Sequence, residues 1–294
     1  MSFRRFHFAI PLLIHIYTFL AIIMDEVANG TSASDYVGAD MFPKGSWPHV
    51  WEVWHFLALG IVSIGGLELV MNRIVPFLCA NIFGVKDDIP RSGKHLDTLD
   101  GKAQGFVLFS KMFIIIFMYH MTQFAMFTPK VLWGWSNLQF MNTIGPLPIY
   151  FMMYDMVYHP WHRIMHTKAL YPLVHKHHHQ QMVPTRGYED GINVHPVEFL
   201  SGEYLHLLVL KLYTVYFSSI HVVSIVLFIL FGGAMASLNH TRFDVLFRGW
   251  AGVRYHDIHH SVIPFTKNYS QYTMLWDKVY GTFLGEKVLG KKRK

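Results

Sequence analysis

A single cysteine, Cys79, stands in 294 residues. It cannot close an intrachain disulfide or build a thiolate metal cluster, so any metal chemistry must rest on nitrogen and oxygen ligands. Charge is scarce too, with Asp, Glu, Lys and Arg making up 15% of the chain. The net charge is +6, yet the basic residues flank apolar runs and form no basic domain. That distribution argues against nucleic acid and for anionic lipid headgroups or an acidic protein partner. The absence of H-E-x-x-H disfavours a zinc protease. Tandem repeats, low-complexity tracts and long flexible linkers are missing as well.

Apolar residues are abundant instead: 52% of the chain is hydrophobic and 16% aromatic, which points to a membrane protein. Residues 8–24, 50–71, 105–127 and 138–157 each approach the roughly 20 apolar residues that cross a bilayer. Four spanning helices are therefore expected. Arg4 and Arg5 precede the first, and Met24-Asp25-Glu26 is a poor cleavage site, so it reads as a retained anchor with a cytosolic N-terminus. Loop 25–49 is acidic and carries the sequon Asn29-Gly30-Thr31, as a lumenal loop would. Lys86, Arg91, Lys94 and Lys102 return the next loop to the cytosol. In 204–236 a break at Phe217-Ser218-Ser219 leaves two arms of roughly 21 to 25 Å, too short for a full crossing. That stretch is expected to form a short membrane hairpin. Residues 72–83, with Pro76, read as interfacial.

Histidine is the other excess. Seven of twenty lie within 155–179, DMVYHPWHRIMHTKALYPLVHKHHH. On a helix Asp155, His159, His162 and His166 share one stripe. His175, His178 and His179 repeat a one-face spacing, and His256, His259 and His260 repeat it again. Eight imidazoles are too many for one ion of four to six ligands, so a two-metal centre is expected; imidazole suits zinc, copper, iron and nickel. His177 falls on the far face of its helix. Pro160 should kink the chain and disfavour helical geometry at His159. Glu68, His120, His206 and His221 are ionisable residues inside apolar segments, where such groups are costly and often functional.

These motifs resemble the fatty acid hydroxylase superfamily of membrane enzymes, which includes sterol C4-methyl oxidases, sterol C5-desaturases and sphingolipid hydroxylases. HRIMHTKALYPLVHKHHH is similar to its H-x3-H and H-x2-H-H boxes. His195-Pro196-Val197-Glu198 is similar to its H-P-x-E/D element and Asn239-His240 to its N-H element. His256-Asp257-Ile258-His259-His260, followed by NYSQYTMLWDKVYGT, resembles the third box and its tail. Residues 138–284 carry the likeness. His195 stands farther from His179 than in the sterol oxidases, which weakens any substrate assignment.

The resemblance implies two iron ions, with zinc a possible substitute, and O2 with electrons from NAD(P)H through a separate carrier, cytochrome b5 and its reductase. This chain has no H-P-G-G haem motif of its own. His162, His166, His175, His178, His179, His256, His259 and His260 would hold the metals, with His240 as a ninth ligand and His195 as a further candidate. Asp155, Glu198 and Asp257 would orient ligand imidazoles. The expected architecture is all-α: membrane helices over 1–137, a catalytic region over 138–284 with a cytosolic histidine-rich cap, and a basic tail over 285–294. Lys291 and Lys292 resemble an endoplasmic reticulum retrieval signal. A lipid, with a sterol favoured, is the expected substrate. The alternatives are a sphingolipid or fatty acyl hydroxylase or desaturase and, from another class, a non-catalytic metal-binding or metal-transporting membrane protein.

Overall fold

Long apolar runs set the frame. The computed structural model describes residues 52–285 apart from 87, 88, 92, 248, 249 and 263. The expected first span, the Asn29 sequon and the basic tail lie outside the described residues. Helix α1 (Val53–Ile82) and helix α2 (Gly101–Phe127) are long and apolar enough to cross a membrane. At about 1.5 Å per residue α1 reaches roughly 45 Å, beyond the ~30 Å apolar core of a bilayer. It runs straight through 72–83, expected to be interfacial, and π-type turns at Val70–Ile74 and Leu78–Ile82 bracket Pro76, which lacks an N–H for the helical ladder. Val53, Ile61 and Val62 on α1 are more than 70% exposed, a surface that suits lipid and not water. Asp100 caps α2 by accepting the Ala103 N–H at 2.8 Å. The helix buries Ala103, Val107, Ser110, Ile114, Phe117, Met121 and Phe124, a strict four-three alternation that lays one stripe on the protein and leaves Leu108, Met112 and Ile116 outside.

Residues 138–157 do not form one straight helix. A single turn, Phe140–Thr143, precedes Gly145-Pro146, and α3 begins at Leu147 and ends at Met165. The helix carries Pro160 without ending, and His159 is helical, contrary to the expectation that Pro160 would disfavour helical geometry there. Neighbouring anchors hold its path: Trp276 Nε1 donates to the Met152 carbonyl at 2.8 Å, and His159 Nε2 lies 2.9 Å from Thr282 Oγ1.

Helix α4 (Pro196–Tyr216) packs against both α2 and α3. It stops before Phe217-Ser218-Ser219, and α5 (Val222–Leu238) follows. Between them Ile220–His221 pairs in parallel with Val131–Leu132, tying the α4–α5 connection to the α2–α3 connection. His221 caps α5 through the Val223 N–H and reaches the Gly134 carbonyl at 3.1 Å. A small antiparallel bridge, Leu246–Phe247 with Ala251–Gly252, then launches α6 (Val253–Ser261). Gly252 has φ +155 and an added Cβ there would stand 2.7 Å from Leu246 Cδ1, so only glycine fits this turn. Aromatic and aliphatic side chains of α2, α3, α4 and α5 form the largest core.

Candidate metal centre

Among the described residues, nine histidines converge in two groups. His162, His166, His175, His179 and His259 form one and His178, His240, His256 and His260 the other, with the ligand atoms of each group within 4.8 Å of one another. The chain brings them there from the end of α3, the turns at Tyr171–His175 and His178–Gln180, the residues after α5, and α6. His162 and the third box lie on α-helix, His166 caps the end of α3, and the middle box straddles a π turn and a 3-10 turn.

The two H-x2-H-H boxes exchange members. His175 and His179, four residues apart, enter the first group while His178 enters the second. His256 and His260 enter the second group while His259 enters the first. Neither group is complete without the other's box, which locks α6 to the 171–180 turns.

The donor atoms fit cations. In the first group Nε2–Nε2 separations are 3.3 Å for His166 and His162, 3.0 Å for His162 and His175, 3.0 Å for His175 and His179, and 3.1 Å for His179 and His259. In the second they are 3.3 Å for His178 and His240, 3.3 Å for His240 and His256, and 3.1 Å for His256 and His260. Nitrogens at about 2.1 Å from one ion would stand about 3.0 Å apart at a right angle and about 3.4 Å apart at a tetrahedral angle. Tautomers decide what these contacts are. Nδ1 of His162, His240, His259 and His260 lies 2.7 to 3.1 Å from the carbonyls of Tyr269, Ala236, Lys267 and Gln181. A carbonyl only accepts, so each Nδ1 carries the hydrogen and each Nε2 turns a bare lone pair inward. Bare lone pairs facing one another are stable only around a cation.

Electrostatics favours the same state. Burial, reinforced by neighbouring imidazoles, pushes the pKa of His162, His175, His178, His179, His256 and His260 well below the usual histidine value, and burial brings His259 to about 4. Neutral imidazole is the ligand form.

The expected outer residues divide. Glu198 Oε1 lies 2.7 Å from His175 Nδ1, both side chains being buried. Burial raises the Glu198 pKa, but with Nε2 committed to an ion, Nδ1 must hold the hydrogen and donate it to the carboxylate. Glu198→Ala should lower metal affinity by roughly 10–100-fold, measured by competition with a chelator, while Glu198→Gln retains part of it. Asp155, expected to orient an imidazole, instead accepts the backbone N–H groups of Gln271, Tyr272 and Thr273. Asp257 pairs with Arg242 Nη1 at 2.6 Å. Each carboxylate holds a non-helical segment of the cap, Asp155 through residues 271–273 and Asp257 through Arg242.

His195 lies in neither group. Its Nδ1 accepts the Val197 N–H and caps α4, and its ring meets Phe106 edge-on. His177 Nε2 sits 2.8 Å from Asn193 Oδ1, also outside both groups. His159 is held by Thr282 and Asp277; hydrogen bonds from His159, Thr282 and Ser270 outweigh burial and hold Asp277 at about 2. Of the ionisable residues in apolar segments, Glu68 pairs with Lys111, His120 with Tyr204 and His206 with Tyr272.

A cavity opens beside the centre. Counting the open space at its mouth, it encloses about 1100 Å³, lined by His162, His178, His240 and His256 together with largely apolar residues of α1, α2, α3, α4 and α5. Sequence periodicity could not reveal it, because its walls come from helices far apart in the chain.

Residues 147–282 match the family described as fatty acid hydroxylase. Residues 147–282 thus carry a fatty acid hydroxylase domain. All nine clustered histidines fall inside the matched residues. Lathosterol oxidase of Rattus norvegicus is 31% identical over 153 residues, 51% of this chain and 47% of its own. Sphingolipid C4-hydroxylase sur2 of Schizosaccharomyces pombe is 31% identical over 176 residues, 56% of this chain and 55% of its own. Methylsterol monooxygenase erg25A of Aspergillus fumigatus is 26% identical over 259 residues, 80% of each chain. The chain thus spans about half the length of the first two relatives. No solved structure matches it significantly.

Proposed function

We propose that this chain is a membrane-bound di-iron monooxygenase that oxidises a C–H bond of a lipid, with a sterol the favoured substrate at a C4-methyl group or a C5 position. The observation that carries the reading is the paired histidine centre set into the wall of an otherwise largely apolar cavity. Iron held there would supply dioxygen activation, with electrons from NAD(P)H arriving through cytochrome b5 and its reductase. The chain's own residues do the rest. Nine imidazoles present lone pairs, Glu198 fixes the His175 ring, and apolar walls of α1, α2, α4 and α5 seat the lipid and keep water from the reacting carbon.

In the proposed topology four helices cross the membrane, the N-terminus and the histidine cap face the cytosol, and residues 138–284 form the catalytic region. Glycosylation at Asn29 and not at Asn268 is the check on that orientation. The basic tail suits retention in the endoplasmic reticulum. A metal transporter would need polar residues along a continuous membrane path; here clustered histidines line a largely apolar cavity.

The direct test is a mass-spectrometric lipid profile of yeast lacking its own sterol C4-methyl oxidase. Expression of this chain should clear the accumulated 4-methylated sterols, and an empty vector should not. The sphingolipid reading rests on the likeness to the Schizosaccharomyces pombe hydroxylase, and in a strain lacking sphingolipid C4 hydroxylation it predicts restored hydroxylated long-chain bases instead. No change in either strain, with the protein well expressed, would contradict both substrate assignments.

A further inference from the structure

Within the cavity, one stretch of wall is polar. Glu203 lies on α4 five residues beyond Glu198, roughly 7.5 Å of helix rise farther from the N-terminal end. Its side chain keeps 31% of its surface accessible, and the space it lines is the cavity. Among the described residues its ion-pair partner is His206, whose Nδ1 is 4.0 Å from Oε2, beyond hydrogen-bond reach. That ring nitrogen is engaged elsewhere, 3.1 Å from the Glu203 backbone carbonyl. His206 Nδ1 therefore carries the hydrogen, and its bare Nε2 accepts the Tyr272 O–H at 2.8 Å. The Tyr272 oxygen keeps lone pairs to offer. Gly232 leaves room for this pair, since a Cβ there would stand 2.9 Å from the Tyr272 hydroxyl and 3.4 Å from His206 Nε2.

The wall thus presents acceptors, a carboxylate and a phenol oxygen whose hydrogen is already given away, among Leu67, Phe117 and Ile229. A carboxylate without a partner in apolar surroundings is costly unless a ligand donates to it. We propose that Glu203, with Tyr272 held by His206, is the subsite that binds a hydroxyl group of the lipid substrate. The hydroxyl donates to the Glu203 carboxylate, and the apolar remainder of the lipid fills the cavity. Sterols and sphingolipids both carry such a hydroxyl, while hydrocarbons and simple acyl esters do not. This deepens the lipid-oxidising reading above and rests on it for the identity of the cavity as the substrate site.

Equilibrium binding to the purified full chain in detergent micelles tests the subsite without turnover. Two probe pairs are used, cholesterol against cholest-5-ene and a ceramide against its 1-deoxy counterpart. In at least one pair the member carrying the additional hydroxyl, cholesterol or the ceramide with its C1 hydroxyl, should bind about tenfold tighter. Glu203→Ala should remove that difference while leaving the deoxy member's affinity unchanged, and Glu203→Gln, whose amide oxygen still accepts, should keep part of it. Metal content of each variant, measured on the same preparations, should equal that of the wild type. No preference in either pair, or a preference that survives Glu203→Ala, would overturn the subsite. Failure of the oxidising reading is visible separately, as an unchanged lipid profile in yeast.

Discussion

His178→Ala and His259→Ala should each abolish lipid oxidation while the protein still inserts in the membrane. Each residue sits three positions from one box partner and one from the other, yet serves the opposite group from both, His178 the second and His259 the first. Removing either leaves one group short of a nitrogen and its neighbours' lone pairs uncompensated. The loss should exceed the roughly 10–100-fold that an outer hydrogen-bond partner costs, so product falls to background in the lipid profile. His177→Ala and His195→Ala are the matched controls. Both are histidines of the same region that the fold holds outside the groups, on Asn193 and as the cap of α4. They should keep most of the activity. Full activity in His178→Ala or His259→Ala would remove that histidine from the centre.

Asp257→Ala should cost stability before it costs chemistry. Arg242 is buried; it donates to Asp257 and to the carbonyls of Ile89 and Pro90. Taking away the carboxylate strands a guanidinium in the interior, which typically costs about 3–5 kcal/mol. A fall in thermal midpoint on the order of 10 °C should follow, read by the loss of monodisperse protein on heating. The double variant Arg242→Met with Asp257→Leu removes both charges and should recover much of that loss. If Asp257→Ala alone melts with the wild type, the buried pair contributes nothing to the cap.

Local spacing made the histidines legible and left their partition hidden. Intervals of three and four residues single out His162, His166, His175, His178, His179, His256, His259 and His260, because a helical turn brings such positions together. A one-face reading of each H-x2-H-H box nevertheless puts its three rings on one ion. The structure divides each box, since the 171–180 segment is turns and since the two groups are built by packing α6 against those turns. That is a tertiary fact with no local signature. Carboxylates were least legible. Asp155, Glu198 and Asp257 look alike beside histidines, but Glu198 meets a ligand ring, while Asp155 takes the backbone amides of 271–273 and Asp257 the Arg242 guanidinium. Pro160 shows the same limit, a helix breaker overridden by contacts from residues more than a hundred positions away.

Metal per chain is the most direct measurement. Full-length protein purified from iron-supplemented cells should hold about two ions per chain by elemental mass spectrometry, and either double variant, His162→Ala with His175→Ala or His256→Ala with His260→Ala, should hold about one. A folded wild type with one ion or fewer, or both double variants still holding two, would contradict a two-metal centre.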